Sequence, residues 1–310
     1  MKTVSVVILN YNGLKLLPEC LDSVMKQTYK DFEVILVNNG SSDDSHNFVK
    51  KNYPSVNLIE IKNNCGFAGG MNHGFRAAKG KFVVMLNNDT KLDKNFIKEI
   101  IVPTKDPSVG MVSPKVIYYY EKTIDTVGLQ VTKSGLAKDT KSEKDKDKAI
   151  VASGAAVLYR KSMLDDIKMN NQYFDEDFFA YCEDLDLGLR AVLRGWKFAY
   201  APKSEVLHIH SATISKEPTY FRLLGHRNNL WAVIKDFPTS VLLKNILSIA
   251  FVQTISIPYY FLKGKPLLIL KLKYQMICGI PKMLKKRKII QARNKISSKD
   301  FEKLLINKLL

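Results

Sequence analysis

Four short apolar runs, at residues 4–9, 32–37, 56–61 and 81–86, alternate with segments of helical spacing. Runs this short and this rich in β-branched residues are buried parallel strands by type. Between the first two, Leu17, Leu21, Val24 and Met25 recur at helical intervals. Further helices are expected through 48–53, over the glycine-led 67–78 and over 96–102. This cadence predicts an α/β chain with a doubly wound, mostly parallel sheet flanked by helices. Ligands of such sheets sit beyond the carboxyl ends of the strands. Asn10, Asn38 and Asn87 each follow a run directly, so they are expected at the site.

Past residue 110 the cadence changes. Strands are expected at 111–120, 126–132, 151–159, 196–201 and 205–209, and a helix over 178–194. Residues 138–148 alternate five Lys with four acids and read as a mobile surface loop. From Tyr220 the chain turns helical and increasingly apolar. The expected division is a folded domain over 1–235 and a basic helical tail over 236–310. Of a formal net charge of +18, residues 261–310 carry +12. That asymmetry suits a tail meeting an anionic surface. It argues against nucleic acid as a partner, since the core is only mildly basic and carries no RNA-binding signature. Cys20, Cys65, Cys182 and Cys278 lie far apart and form no CxxC pair. This excludes a zinc ribbon and argues against a disulfide scaffold. The apolar N-terminal run is short and ends in polar residues, so it reads as a strand rather than an export signal, and the cytosol is expected.

Four constellations carry chemistry. Glu183-Asp184-Leu185-Asp186 opens a helix whose dipole offsets part of the repulsion among the carboxylates. Asp186 and Arg190 are i,i+4 partners. The aromatic run at 174–181 just before them suggests a walled pocket, where apolar surroundings would lift a carboxylate toward the pKa of a general base. Asn87-Asn88-Asp89-Thr90, after a buried strand, suits a hard cation that also holds phosphate oxygens, although it is also ordinary turn chemistry. In residues 64–74, Gly66, Gly69 and Gly70 permit close backbone approach, so a helix start there could face a diphosphate; tight packing is the alternative. His208 and His210, two apart on a strand, point the same way and with Asp89 could complete a metal site; the plainer reading is a pair of structural histidines.

These segments, with Val6-Val7-Ile8-Leu9-Asn10-Tyr11-Asn12-Gly13, residues 38–45, Ser153-Gly154-Ala155 and residues 208–213, resemble in kind and order the motifs of family 2 glycosyltransferases of the GT-A fold, close to the bacterial rhamnosyltransferase-like branch. The resemblance covers about residues 3–235. It implies a metal-dependent, inverting hexosyl or rhamnosyl transfer from a UDP- or dTDP-sugar to an acceptor hydroxyl, with Mg²⁺ or Mn²⁺ as cofactor. It implies Asp184 as the catalytic base, supported by Glu183, Asp186 and Arg190, and Asp89 with His208 as metal ligands. It sets Asn10, Tyr11, Asn12, Asn38, Asn39, Gly66, Gly69, Asn72, Asn87 and Asn88 against the nucleotide-sugar. Similar enzymes also carry an Arg-Asn pair near Arg227-Asn228, which could reach an acceptor phosphate; capping and packing explain that pair as well. Two departures stand out. Asn38 replaces the family's base-contacting Asp, and Asn87 takes the first position of its Asp-x-Asp. They keep open a second expectation, a catalytically inactive sugar-nucleotide-binding scaffold. The related nucleotidylyltransferases would need a Gly-rich N-terminal loop with a basic residue, and Asn10-Tyr11-Asn12-Gly13 stands there instead.

Residues 245–262 are uncharged but include Asn245, Gln253 and Pro258, which makes them marginal as a membrane span. The apolar stretches that follow, interleaved with Lys, suit helices lying in the headgroup plane. One spanning or re-entrant helix and an amphipathic dimer face are the alternatives. The expected location is the inner face of the cell membrane, where the acceptor would be a polyprenyl-linked glycan or a cell-wall or surface polysaccharide.

Overall fold

A computed structural model describes residues 2–209 and 218–307. The first half follows the expected alternation: β1 (Val4–Asn10), α1 (Leu17–Met25), β2 (Phe32–Asn39), α2 (Ser45–Asn52), β3 (Asn57–Ile61), α3 (Gly66–Ala77) and β4 (Phe82–Asn87). Then come β5 (Thr90–Leu92), α4 (Phe96–Ile100), β6 (Val109–Tyr118), β7 (Ile124–Thr126), β8 (Leu129–Val131), β9 (Ala137–Asp139), β10 (Ala156–Arg160), α5 (Lys161–Ile167), α6 (Glu183–Leu193) and β11 (Lys197–His208). The chain closes with α7 (Pro218–Asp236), α8 (Thr239–Lys244), α9 (Ile246–Leu262), α10 (Pro266–Ala292) and α11 (Ser298–Leu304).

The main sheet runs β3-β2-β1-β4-β10-β6-β11-β5, with β7 paired to β6. Pairing is parallel from β3 to β4. Beyond β4 the sheet is mixed, since β10 is antiparallel to both β4 and β6 while β11 is parallel to β6. The chain leaves β1 toward β2 and β3, then returns to its other side at β4. That reversal opens a crevice beyond Asn10 and Asn87, where an open sheet binds its ligands.

Strand alternation splits the interior into two layers. Val4, Val6 and Ile8 of β1 join the core under α1 and α4. Val7 faces the other core, with Met71 and Phe75 of α3 and Leu185 and Leu189 of α6. Gly74 lets α3 press on the sheet, because a Cβ there would lie 2.2 Å from Val7 Cγ1.

Several expected elements end differently. The helix expected over 178–194 begins only at Glu183, since Phe179, Tyr181 and Cys182 have φ of 62°, 71° and 62°. Left-handed residues cannot continue a right-handed helix. The strand expected over 126–132 is broken at Gly128, φ 137°. Residues 138–148, expected to be mobile, are pinned. Residues 137–139 form β9 against β8, residues 143–148 form a 3₁₀ turn, and Tyr200 donates to Glu143 at 2.7 Å. The two strands expected at 196–201 and 205–209 are one, β11, with an irregularity between Ala201 and Glu205.

The last helices fold back on the domain. Trp231 of α7 donates its indole N–H to the Met276 carbonyl at 3.0 Å, and the Ile306 N–H reaches the Val131 carbonyl at 2.9 Å. The basic run at 282–288 was expected to face an anionic surface, but it is divided. Lys282 and Lys286 pair with Asp177, and Arg287 donates to the Ile234 and Phe237 carbonyls, because the domain presents acids and carbonyls on that side. No helix among the described residues is long and apolar enough to cross a membrane. The 17 residues of α9 rise about 25 Å, against a hydrocarbon core of about 30 Å. Even so, α9 and α10 expose large apolar side chains, with Leu247 at 83%, Leu262 at 89% and Leu267 at 82%.

Candidate active site

A cleft of about 360 Å³ opens at the β1/β4 crevice. One wall is made of amides. Asn10, fully buried, donates from Nδ2 to Asn38 Oδ1 at 3.2 Å and accepts from Asn88 Nδ2 at 2.8 Å. This ties the ends of β1, β2 and β4 together. Asn39 donates to Asn64 Oδ1 and to the Gly66 carbonyl, both at 3.0 Å, and accepts from the Cys65 N–H. It thereby fixes the start of α3. Asn12, at φ 50°, accepts from the Ser42 N–H at 2.7 Å. Gly66 sits at φ 79°, and a Cβ there would lie 2.4 Å from the Phe179 carbonyl oxygen of the opposite wall.

Tyr11, Asn39, Gly66, Asn87 and Asn88 line the cleft. Asn10, Asn38 and Asn12 shape it from behind or from the rim. Gly69 and Asn72 do not line it. Gly69 packs on Cys65, and Asn72 is buried, bonding the Phe174 carbonyl and the N–H groups of Tyr173 and Phe174.

The other wall is charged and aromatic, with Phe179, Tyr181, Cys182, Glu183, Asp184 and Phe221 facing the cleft. Asp184 Oδ2 accepts from the Gly154 N–H at 2.8 Å, and Oδ1 accepts from the Leu185 N–H at 2.7 Å. Burial lifts the Asp184 pKa to about 6; those N–H groups restrain it and the Asp139 charge adds to it. Burial, then the neighbouring Asp184, pushes Glu183 well above the usual carboxylate range, and its Oε2 has no hydrogen-bond partner. Both carboxyls of the pair are thus lifted above their ordinary values, and only Asp184 has backbone N–H donors on both oxygens.

Asp186 and Arg190, expected beside this carboxylate, turn the opposite way. Both are buried, paired at 2.8 Å, and Arg190 also donates to the Ile167 and Tyr173 carbonyls. Asn228 is likewise internal. Its Nδ2 donates to the carbonyls of Phe178, Ala180 and Tyr181 at 2.8 Å each, and Arg227 stacks over Trp231 at 4.2 Å. The Arg-Asn pair ties the left-handed turn in place.

At the far end of the cleft His208 Nε2 lies 3.4 Å from Asp89 Oδ1, and Nδ1 lies 3.0 Å from Asp125 Oδ2. Burial would lower the His208 pKa, but the hydrogen bonds and charges of Asp125 and Asp89 lift it to about 9. This spot attracts positive charge. An imidazole, a carboxylate and the buried, unbonded amide oxygen of Asn87 on the same loop are ligands that suit a hard divalent cation. Among the described residues no three His, Cys, Asp or Glu side chains are arranged to hold a metal ion by themselves. His210 lies outside the described residues. Asp125 was missed in the sequence, because only the β6–β7 pairing carries it under β11.

Comparisons with known proteins agree with this architecture. Residues 5–168 match the family profile described as Glycosyl transferase family 2. Glycosyltransferase GlyG of Streptococcus pneumoniae serotype 4 is 33% identical over 111 residues, which are 34% of this chain and 37% of GlyG. Poly-beta-1,6-N-acetyl-D-glucosamine synthase of Staphylococcus epidermidis is 25% identical over 272 residues, 81% of this chain and 63% of that protein. The chain thus spans 37% and 63% of the lengths of these relatives. S. aureus TarS 1-349 superposes with a TM-score of 0.61 at 18% identity, covering 98% of this chain and 90% of that one. GalNAc-T7 with UDP, GalNAc and Mn²⁺ gives 0.61 at 18%, covering 77% and 49%. The mannosyltransferase PcManGT from Pyrobaculum calidifontis with GDP-Man and Mn²⁺ gives 0.55 at 18%, covering 96% and 78%. At these identities the structural likeness shows a shared fold, the GT-A type.

Proposed function

Since the chain belongs to glycosyl transferase family 2, we propose that it is an inverting glycosyltransferase that moves a hexosyl or rhamnosyl group from a UDP- or dTDP-sugar to a hydroxyl of a lipid-linked or surface-polysaccharide acceptor. The observation that carries this reading is the Asp184 carboxylate, which lines the same cleft as Asp89 and His208 and has a pKa near 6. A base in that range is deprotonated at neutral pH and still takes a proton readily. Asp184 accepts the proton of the acceptor hydroxyl. The oxygen then bonds to the sugar's anomeric carbon from the face opposite the diphosphate. The bond from that carbon to the diphosphate breaks, and the leaving group takes the electron pair, so configuration inverts. The Gly154 and Leu185 N–H groups hold the carboxylate in place. Tyr11, Asn39 and Gly66 are the surfaces on which the nucleotide would lie.

Asp89 and His208 would hold a Mg²⁺ or Mn²⁺ ion, with Asn87 beside them, and the ion would supply positive charge for the departing diphosphate. The acceptor side of the reading rests on the tail. Lys263, Lys265, Lys271, Lys285 and Lys288 form no ion pair among the described residues and accompany the exposed apolar row of α9 and α10. That combination suits the headgroup plane of an anionic inner leaflet. Binding to anionic but not zwitterionic vesicles checks it.

The decisive assay measures nucleoside diphosphate release from UDP-, GDP- and dTDP-sugars with and without Mn²⁺. Release from one donor class, dependent on Mn²⁺, is expected. Nucleotide binding without release from any donor would favour the inactive scaffold, to which Asn38 and Asn87 lend weight.

A further inference from the structure

The charged residues that the cleft does not use form a chain, and it ends on the tail. Asp186, two residues beyond Asp184 on α6, forms an ion pair with Lys235 of α7. Lys235, fully buried, also donates to Asp175 Oδ2 at 2.6 Å. Lys286 of α10 donates to Asp175 Oδ1 and to Asp177 Oδ2, the latter at 2.7 Å. Lys282 donates to Asp177 Oδ1 at 2.6 Å. Charges alternate from helix to turn to tail. Burial works against the charge on Asp175, yet Lys235 and Lys286 hold its carboxyl below the usual range.

Asp175 and Asp177 anchor the start of the turn that becomes the cleft wall. Within it Phe179, Tyr181 and Cys182 are left-handed. Non-glycine residues persist in that region only where the surroundings over-determine them. Asn228 fixes the middle of the turn from α7, and α10 fixes its beginning. A buried ion pair adds little net stability compared with apolar packing. What Lys286 contributes is the location of its acids.

We propose that Lys286, assisted by Lys282, is a positioning residue for the Asp184 carboxylate: the tail sets the turn before α6, and through it the approach of the acceptor to the base. The proposal rests on the reading of Asp184 as that base.

The test uses the full chain with the variants Lys286→Met, Lys286→Arg, Lys282→Met and Asp184→Asn, measuring kcat, donor KM and tryptophan emission. Displacement of a catalytic group by an ångström costs up to ~100-fold, so Lys286→Met is expected to lower kcat by about tenfold or more. Donor KM should stay within about twofold, because transition-state alignment rather than ground-state donor binding is lost. Lys286→Arg should restore most of the rate. Lys282→Met removes an exposed partner that the fold does not need, and should lower kcat by about two- to threefold. Trp231 lies 6.2 Å from Phe178 of the turn, so Lys286→Met should also raise the acrylamide quenching of tryptophan emission.

The idea is overturned if Lys286→Met keeps kcat within about twofold of the parent. It is equally overturned if kcat and donor affinity collapse together and arginine restores neither. Should Lys286→Met fail to fold, an unchanged kcat in Lys282→Met overturns it. Should Asp184→Asn keep its turnover, the base assignment falls separately, while the quenching change still decides whether α10 orders the wall.

Discussion

The two walls of the cleft are built from different chemistry. On the β1–β2–α3 side, neutral amides bond one another: Asn10 to Asn38 and Asn88, and Asn39 to Asn64. On the α6–α7 side, carboxylates meet lysines and an arginine, and a left-handed turn stands between them and the cleft. Amides neither titrate nor respond to screening; ion pairs and perturbed carboxylates do both. One wall should therefore hold its ligand alike over a range of conditions, while the other sets a rate that depends on them.

The sharpest way to break this contrast is Asp184→Asn. Turnover should fall by ~10²–10⁴, the worth of a positioned base, while calorimetry finds nucleotide affinity unchanged. An affinity loss of similar size would mean that the walls are not separable. Next is a matched pair of truncations. Asn228→Ala removes a donor shared by the Phe178, Ala180 and Tyr181 carbonyls, of which Phe178 keeps the Ala180 N–H, and should lower unfolding stability in urea by about 2 kcal/mol, with kcat reduced. Asn10→Ala, which strands two amides, should lower stability by about 2 kcal/mol and raise donor KM instead.

The pH profile follows. With Asp184 near 6, the rate should drop as pH falls through about 6, while nucleotide affinity stays flat over that range. The sign for stability is the reverse. A carboxyl raised above its unfolded value favours the folded state most at low pH, and that contribution disappears as pH rises toward 6. The smallest effect is that of salt. Lys282 is 62% exposed in its pair with Asp177, so screening should remove at most ~1 kcal/mol, measured as a shift in urea midpoint.

The amide wall was legible because its signals are local. A buried strand shows as a β-branched run, and an asparagine just past it has only one place to be. The charged wall was legible only in part. The i,i+4 spacing of Asp186 and Arg190 revealed the pair, but not that their face of α6 turns inward. The aromatic residues before α6 have helical spacing, which concealed positive φ values imposed by Asn228 from 46 or more positions along the chain. The alternating charges at 138–148 read as a solvated loop, yet Lys138 and Asp139 pair with β8 and residues 143–148 form a 3₁₀ turn. Asp125 had no local signal, because its role is created by strand pairing.

Helix α7 touches the site three times along one rod. Phe221 borders the cleft, Asn228 ties the turn, and Lys235 joins the buried charges. From the first to the last the axis advances about 21 Å. The border of the cleft and the buried anchor thus share one helix but occupy opposite ends of it. A substitution near the cleft-facing end alters the border of the cleft, while the far end keeps the helix in place. The lining of the cleft can therefore change at that end without disturbing the buried charges that hold the helix.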